Sequence, residues 1–424
     1  MNTMIATFAI MIIAIILMVT EKIPLALTAM CTTLALCLTG CLKANEAVAG
    51  FSNSNVILIG AFLIIGQAIF STGLAHDIAH FFLKFAKTER SQILVVCLVT
   101  ALLSGFLSNT GVTAMMMPIV MGICKESGTR RSKLMMPISI GAGVGGTITL
   151  IGTVVNVIAN TTMTEFGYEQ QFSMFEFTKI GLPLSIVTAI LLATVLRPLL
   201  PSYEDAPDVI VEEEKDYSNV PKWKKTFTVV LLIIAFLGMC FESQIGIKLH
   251  ITASVCAALL CLFGILSEKE ALGSIHMKTI FILAGLLPLS TAMNNTGAGQ
   301  LLADKVIAMA GEGTSPIVLM AVLYLSCSVL TQFISNTAAA SIMCTVGCSI
   351  AQGLNADPRA IMMAIVLGAS FAYATPLGMP ANTLVMGIGG YKFQDYTKVG
   401  LPLVLISFIF CMILLPIFYP LTIS

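Results

Sequence analysis

Two stretches decide how this chain folds: Ser91 to Cys124, whose middle reads Ser104-Gly-Phe-Leu-Ser-Asn-Thr110, and Gly313 to Ala356, whose middle reads Thr331-Gln-Phe-Ile-Ser-Asn-Thr337. Neither contains Asp, Glu, Lys or Arg. As straight helices they would be about 51 and about 66 Å long at 1.5 Å per residue, far more than the roughly 30 Å of bilayer hydrocarbon. Lys84, Lys87 and Arg90 precede the first, and Lys125, Arg130, Arg131 and Lys133 follow it. The positive-inside rule puts both of its ends in the cytoplasm. The flanks of the second are poor in positive charge, with only Lys305 and Arg359, as expected for the outer side. The pattern therefore predicts two re-entrant helical hairpins, 91–124 and 313–356, each turning at its Ser-Asn-Thr.

Composition agrees with a membrane setting. Of 424 residues, 57% are hydrophobic and 10% charged, against about 25% charged in soluble domains. Too little charge is present to cover a water-facing surface, which excludes a soluble globular protein. A net charge of zero lacks the basic face of a nucleic-acid binder. The twelve Cys lie singly in apolar stretches with no Cys-x-x-Cys pair and read as small buried hydrophobes. The run Met4 to Val19 has no basic n-region and reads as a retained span. Charge punctuation predicts ten crossings: 4–19, 24–42, 54–83, 134–163, 176–199, 226–243, 248–266, 277–301, 359–388 and 399–421. That count places both termini outside a cytoplasmic (inner) membrane. Residues 201–225 are expected as a solvated cytoplasmic linker, since 204–225 hold 11 of the 44 charged residues.

The halves 1–200 and 226–424 resemble each other. Phe172-Ser-Met-Phe-Glu-Phe-Thr-Lys-Ile-Gly-Leu-Pro-Leu184 returns as Tyr391-Lys-Phe-Gln-Asp-Tyr-Thr-Lys-Val-Gly-Leu-Pro-Leu403, Ser108-Asn-Thr110 as Ser335-Asn-Thr337, and Gly152-x-x-x-Asn156 as Gly378-x-x-x-Asn382, at offsets of 219, 227 and 226. Each half has five spans and a hairpin, an odd number of crossings, so the second copy enters from the opposite side. The expected fold is an all-α polytopic membrane protein built as an inverted-topology repeat. Its broken helices would meet near the midplane, the usual architecture of secondary transporters.

A Ser-Asn-Thr turn at membrane depth is costly unless its polar groups are paired. Freed carbonyls with Ser, Thr and Asn oxygens suit Na⁺, while freed N–H groups, hydroxyls and Asn amides suit an anion. Ser104 lies four residues before Ser108, and Thr331 four before Ser335, adding a hydroxyl to the same face of each hairpin. Such residues also serve as ordinary interhelical contacts; their duplication inside two over-long segments favours a site. Gly145-Gly-Thr-Ile-Thr-Leu-Ile-Gly-Thr-Val-Val-Asn156 and Ala374-Thr-Pro-Leu-Gly-Met-Pro-Ala-Asn382 interrupt the next spans, and Pro376 and Pro380 lack N–H donors.

Paired Ser-Asn-Thr tips, each followed by an interrupted helix ending in Gly-x-x-x-Asn, resemble the divalent anion/sodium symporter family over nearly the whole chain. The resemblance implies a homodimeric, elevator-type transporter that imports a di- or tricarboxylate with Na⁺, an anion exchanger or sulfate transporter of the same fold being the alternative. It implies one Na⁺ at Ser104, Ser108, Asn109 and the Gly152 carbonyl, and a second at Thr331, Asn336 and the Gly378 carbonyl. Substrate carboxylates would lie at Ser108, Asn109, Thr110, Thr153, Ser335, Asn336, Thr337, Met379 and Pro380. The family commonly has Thr-Pro-Pro-Asn after the small residue, whereas here the copies read Thr153-Val-Val-Asn156 and Met379-Pro-Ala-Asn382. Members also often carry an additional N-terminal helix.

Other chemistries fit less well. His76 and His80 have a metal-compatible i, i+4 spacing, but no third ligand is expected beside that pair. Ser and Cys in the spans have no His partner, so an intramembrane enzyme is not expected. The near absence of acids in the spans disfavours a carboxylate-based proton pump. Dead-end hairpins favour alternating access over a channel.

Overall fold

The computed structural model describes residues 3–20, 22–203, 217, 219–240, 242–299, 301 and 316–420, and the regular elements among them are helices. The first half runs α1 (Thr3–Thr20), α2 (Leu25–Leu38), α3 (Ala44–Val48), α4 (Ser54–Ser71), α5 (Leu74–Leu83), α6 (Glu89–Ser104), α7 (Asn109–Ser127), α8 (Arg131–Gly145), α9 (Val154–Glu165) and α10 (Thr178–Ala193). The second runs α11 (Lys222–Cys240), α12 (Glu242–Ile245), α13 (Leu249–Leu262), α14 (Glu268–Ser274), α15 (Met277–Asn295), α16 (Pro316–Leu330), α17 (Asn336–Gly353), α18 (Pro358–Ser370), α19 (Pro380–Gly389) and α20 (Phe393–Phe418). Most of the expected linker, and the start of the 313–356 hairpin, lie outside the described residues.

The apolar periodicity of α20 shows how these helices meet lipid. Val399, Leu403, Ser407, Cys411 and Leu415 are buried every fourth residue, while Leu401, Leu405, Ile409, Ile413 and Ile417 are exposed on the other side. A continuous apolar stripe of this kind suits hydrocarbon, not water. The segments 44–71, 277–295 and 393–418 are long and apolar enough to cross a bilayer alone. Several other apolar helices are shorter; the 14 residues of α2 span about 21 Å.

The break in 91–124 falls where the Ser-Asn-Thr stands, between α6 and α7, and α16 and α17 break in the same way. In each turn the serine caps the returning helix: Ser108 Oγ accepts from Gly111 N at 3.2 Å and Ser335 Oγ from Ala338 N at 3.3 Å. The interval 54–83, expected as one crossing, is two helices. Thr72 turns its hydroxyl back on the Ala68 carbonyl at 2.8 Å and Gly73 takes a left-handed φ of 74°, ending α4 before α5 begins.

Packing repeats with the sequence. Helix α6 lies on α8 and α16 on α18; α2 packs on α15 and α13 on α4, so each half contributes the same pair of partners to the other. A side chain on Gly141 would come within 2.6 Å of the Cys97 carbonyl oxygen, and one on Gly368 within 2.5 Å of that of Tyr324. Both members of this contact recur 227 residues apart. Without a hydrophobic drive between helices in lipid, such close backbone approach is what holds them together.

Candidate functional site

After α8 the chain leaves helical form until Thr153, and after α18 until Met379. These unwound segments survive because an asparagine braces each one. Asn156 Nδ2 donates to the carbonyls of Gly146 (2.9 Å) and Thr149 (2.7 Å), and Asn382 Nδ2 donates to those of Ala372 (2.7 Å) and Thr375 (2.9 Å). A threonine in each segment ties it to the preceding hairpin: Thr149 Oγ1 donates to the Gly105 carbonyl and Thr375 Oγ1 to the Gln332 carbonyl. Both asparagines are fully buried, so the freed backbone groups find internal partners, as a membrane interior requires.

The hairpin tips repeat a second pattern. Ser104 Oγ lies 2.7 Å from Asn109 Oδ1 and 2.9 Å from the Ala142 carbonyl oxygen. Thr331 Oγ1 lies 2.6 Å from Asn336 Oδ1 and 2.8 Å from the Ala369 carbonyl oxygen. In each corner three oxygens share a single hydroxyl proton, an electron-rich arrangement. Ser104 and Thr331 are wholly buried, whereas Ser108-Asn-Thr110 and Ser335-Asn-Thr337 are half-buried.

The half-buried tips face one cavity of about 400 Å³. Ser108, Asn109, Thr110, Gly152, Thr153, Ser335, Asn336, Thr337, Gly378, Met379 and Pro380 all line it. All nine residues expected to hold substrate are thus on one wall system, together with five of the seven expected around Na⁺. The remaining two, Ser104 and Thr331, stand directly behind the tip asparagines. Asn109 Nδ2 points across the cavity to Met379 Sδ at 3.8 Å, joining the halves. The rest of the lining is mostly apolar, with Phe62 and Phe70 from α4 and Phe106 and Val157 beside the tips, and includes the polar Gln67 of α4 and His276 and Lys278 around the start of α15.

Several contributors carried little signal in the sequence. Gln332 donates to the carbonyls of Ser328 (2.9 Å) and Phe371 (3.0 Å) and accepts from Ala374 N (2.9 Å), stapling the second unwound segment to its hairpin. Glu165, at the end of α9, accepts from Asn53 Nδ2 (3.3 Å) and Thr291 Oγ1 (2.8 Å), tying α9 to the start of α4 and the end of α15. The rings of His76 and His80 lie 4.7 Å apart, and no group of three His, Cys, Asp or Glu side chains among the described residues is arranged to hold a metal ion.

An uncharacterized transporter of Escherichia coli (strain K12), YfbS, is 24% identical over 96% of this chain and 98% of its own length. The sodium-dependent dicarboxylate transporter SdcS of Staphylococcus saprophyticus is 24% identical over 92% of this chain and 81% of its own. The crystal structure of the Alcanivorax borkumensis YdaH transporter has a similar fold, with a TM-score of 0.63 at 17% identity, covering 87% of this chain and 86% of that one. The citrate transporter family model matches residues 15–346, more than three quarters of the chain. Both Ser-Asn-Thr tips lie inside that match, and the chain belongs to the citrate transporter family.

Proposed function

We propose that this transporter imports a di- or tricarboxylate together with Na⁺ by alternating access. The observation that carries this reading is the pair of oxygen-rich corners, 227 residues apart in sequence, standing behind the two tips of one cavity. Each corner offers a hard cation three oxygens and only one proton. Ser104, Ser108, Asn109 and the Gly152 carbonyl are the residues for one Na⁺; Thr331, Asn336 and the Gly378 carbonyl are those for a second. The cavity side of the tips supplies neutral donors for carboxylates: the amides of Asn109 and Asn336 and the hydroxyls of Ser108, Thr110, Ser335, Thr337 and Thr153. Met379 and Pro380 complete the wall. The name of SdcS, a sodium-dependent dicarboxylate transporter, supports the same assignment.

The recurrence of the hydrogen bonds at offsets of 226 and 227 residues supports an inverted repeat of 1–200 and 226–424 joined by a cytoplasmic linker. In that reading α6–α9 and α16–α19 move as one body past α2, α4, α13 and α15, as in an elevator, in a homodimer set in the inner membrane with both termini outside. Reagents added from outside would then label Asp357→Cys but neither Lys84→Cys nor Lys133→Cys. Labelling of Lys84→Cys and Lys133→Cys from opposite faces would break the repeat.

Uptake of labelled succinate or citrate into proteoliposomes tests the function. Replacing Na⁺ by K⁺ or choline is expected to abolish it. Undiminished uptake without Na⁺, driven by an internal carboxylate, would make the protein an exchanger, and uptake of sulfate alone would replace the substrate class.

A further inference from the structure

We infer that Lys278 makes the cavity select anions by valence, supplying the positive charge that a carboxylate meets beyond the two Ser-Asn-Thr tips; the inference rests on the transport reading above. Among the described side chains lining the cavity, that of Lys278 is the one with a fixed charge. It comes from the first turn of α15, an element that carries neither tip. No ion pair or hydrogen bond engages its ammonium among the described residues, and the side chain is exposed. The carboxylate of Glu270, on the preceding helix α14, is held by Ser267 N (2.8 Å) and Oγ (2.7 Å).

Helix stability does not explain the residue. A cation in the first turn opposes the helix dipole, which favours acids there. At the equivalent place in the first half, the second residue of α4, stands the neutral Asn55. The charge is therefore on one side of the cavity only. The tips bind through neutral donors, which register the presence of a carboxylate but not the number of further charges on the molecule. A lysine on the wall does register that number, because its attraction grows with each added negative charge on the anion, and its exposed position leaves that attraction open to screening by salt.

The test compares succinate, a dianion, with tricarballylate, a trianion of similar skeleton, in Na⁺-driven uptake at a pH where all carboxylates are ionised. Lys278→Gln is expected to raise the half-saturating concentration of tricarballylate roughly tenfold and that of succinate no more than about threefold. The maximal rate and the half-saturating Na⁺ should stay close to wild type. Lys278→Arg should restore the wild-type preference, and about 0.5 M salt should shrink the difference between Gln and wild type. Equal factors for the two anions, no change in either, or an Arg variant that behaves like Gln would each overturn the assignment. Wild-type protein that moves neither anion would overturn the transport reading itself, and that result is seen before any variant is made.

Discussion

The two halves of the site are built on the same braces and differ in what they present to the cavity. Ser104 and Thr331 hold their tip asparagines identically, and Asn156 and Asn382 each tie down two carbonyls across the same intervals of ten and seven residues. The lining departs from this symmetry. Thr153 stands opposite Met379 in the repeat, and Lys278 lines the cavity where its counterpart Asn55 does not. What keeps an unwound segment alive in a membrane tolerates little variation, because each freed backbone group needs a partner. What faces the cavity carries no such constraint and differs between the halves.

The largest expected effect tests the shared part. Asn156→Leu leaves the Gly146 and Thr149 carbonyls without their donor, and Asn382→Leu does the same to Ala372 and Thr375. Two buried acceptors at about 1–3 kcal/mol each predict a loss of roughly 2–6 kcal/mol. The loss is trimmed because each asparagine's own Oδ1, buried without a partner, disappears as well. Both variants should melt well below wild type in detergent, and by similar amounts. If only Asn156→Leu melts early, Gln332 is carrying the second segment by itself and the braces are not equivalent.

The next effect lies at the tips. Asn109→Ala and Asn336→Ala remove a cavity-facing amide and, from the corner behind it, one of three clustered oxygens. Loss of a charge-assisted contact predicts about 1.5–3 kcal/mol, or roughly tenfold to a hundredfold in affinity. Because Na⁺ and anion would share each asparagine, linkage requires their apparent affinities to weaken together. Variants that fold normally yet keep wild-type dependence on both would reduce the tips to interhelical contacts. A strong effect from one asparagine alone would show that the repeat preserves geometry without preserving function.

Charge spacing and segment length were enough to locate the two hairpin breaks, because a charge-free run too long for one crossing has few ways to fold. They were also enough to bring Ser104 and Thr331 to the tips, one helical turn before each serine. The bracing was less legible. Thr149 reaches a carbonyl 44 residues away and Thr375 one 43 residues away, and no local pattern marks a threonine that bonds across a hairpin instead of back along its own helix. Glu165 sits 112 residues from Asn53 and 126 from Thr291, so its role depends wholly on how α9 docks. Lys278 reads in sequence as an ordinary basic residue at a span end, and only the packing of α15 puts it on the cavity. The interval 54–83 misled because hydropathy continues through Thr72-Gly73, where backbone conformation ends the helix.

The smallest effect sharpens the difference between the halves. Thr153 and Met379 share the same extended backbone, with φ and ψ of −142° and 147° in the first and −140° and 134° in the second, and neither side chain caps its helix. A β-branched residue suits that conformation, so Met379→Thr should seat a hydroxyl where the first half already has one. The change removes the thioether that faces Asn109 Nδ2 at 3.8 Å and frees that amide for a better acceptor. One additional neutral hydrogen bond contributes about 0.5–1.5 kcal/mol, a change of roughly twofold to tenfold, and only for a substrate that reaches it. Preference among dicarboxylates of different length should therefore shift, while the half-saturating Na⁺ moves little because neither oxygen-rich corner includes residue 379. Competition assays with succinate, malate and glutarate against labelled substrate measure the shift. If all three change by one factor, Met379 contributes only volume, and the asymmetry of the cavity must come from Lys278 and the apolar wall of α4.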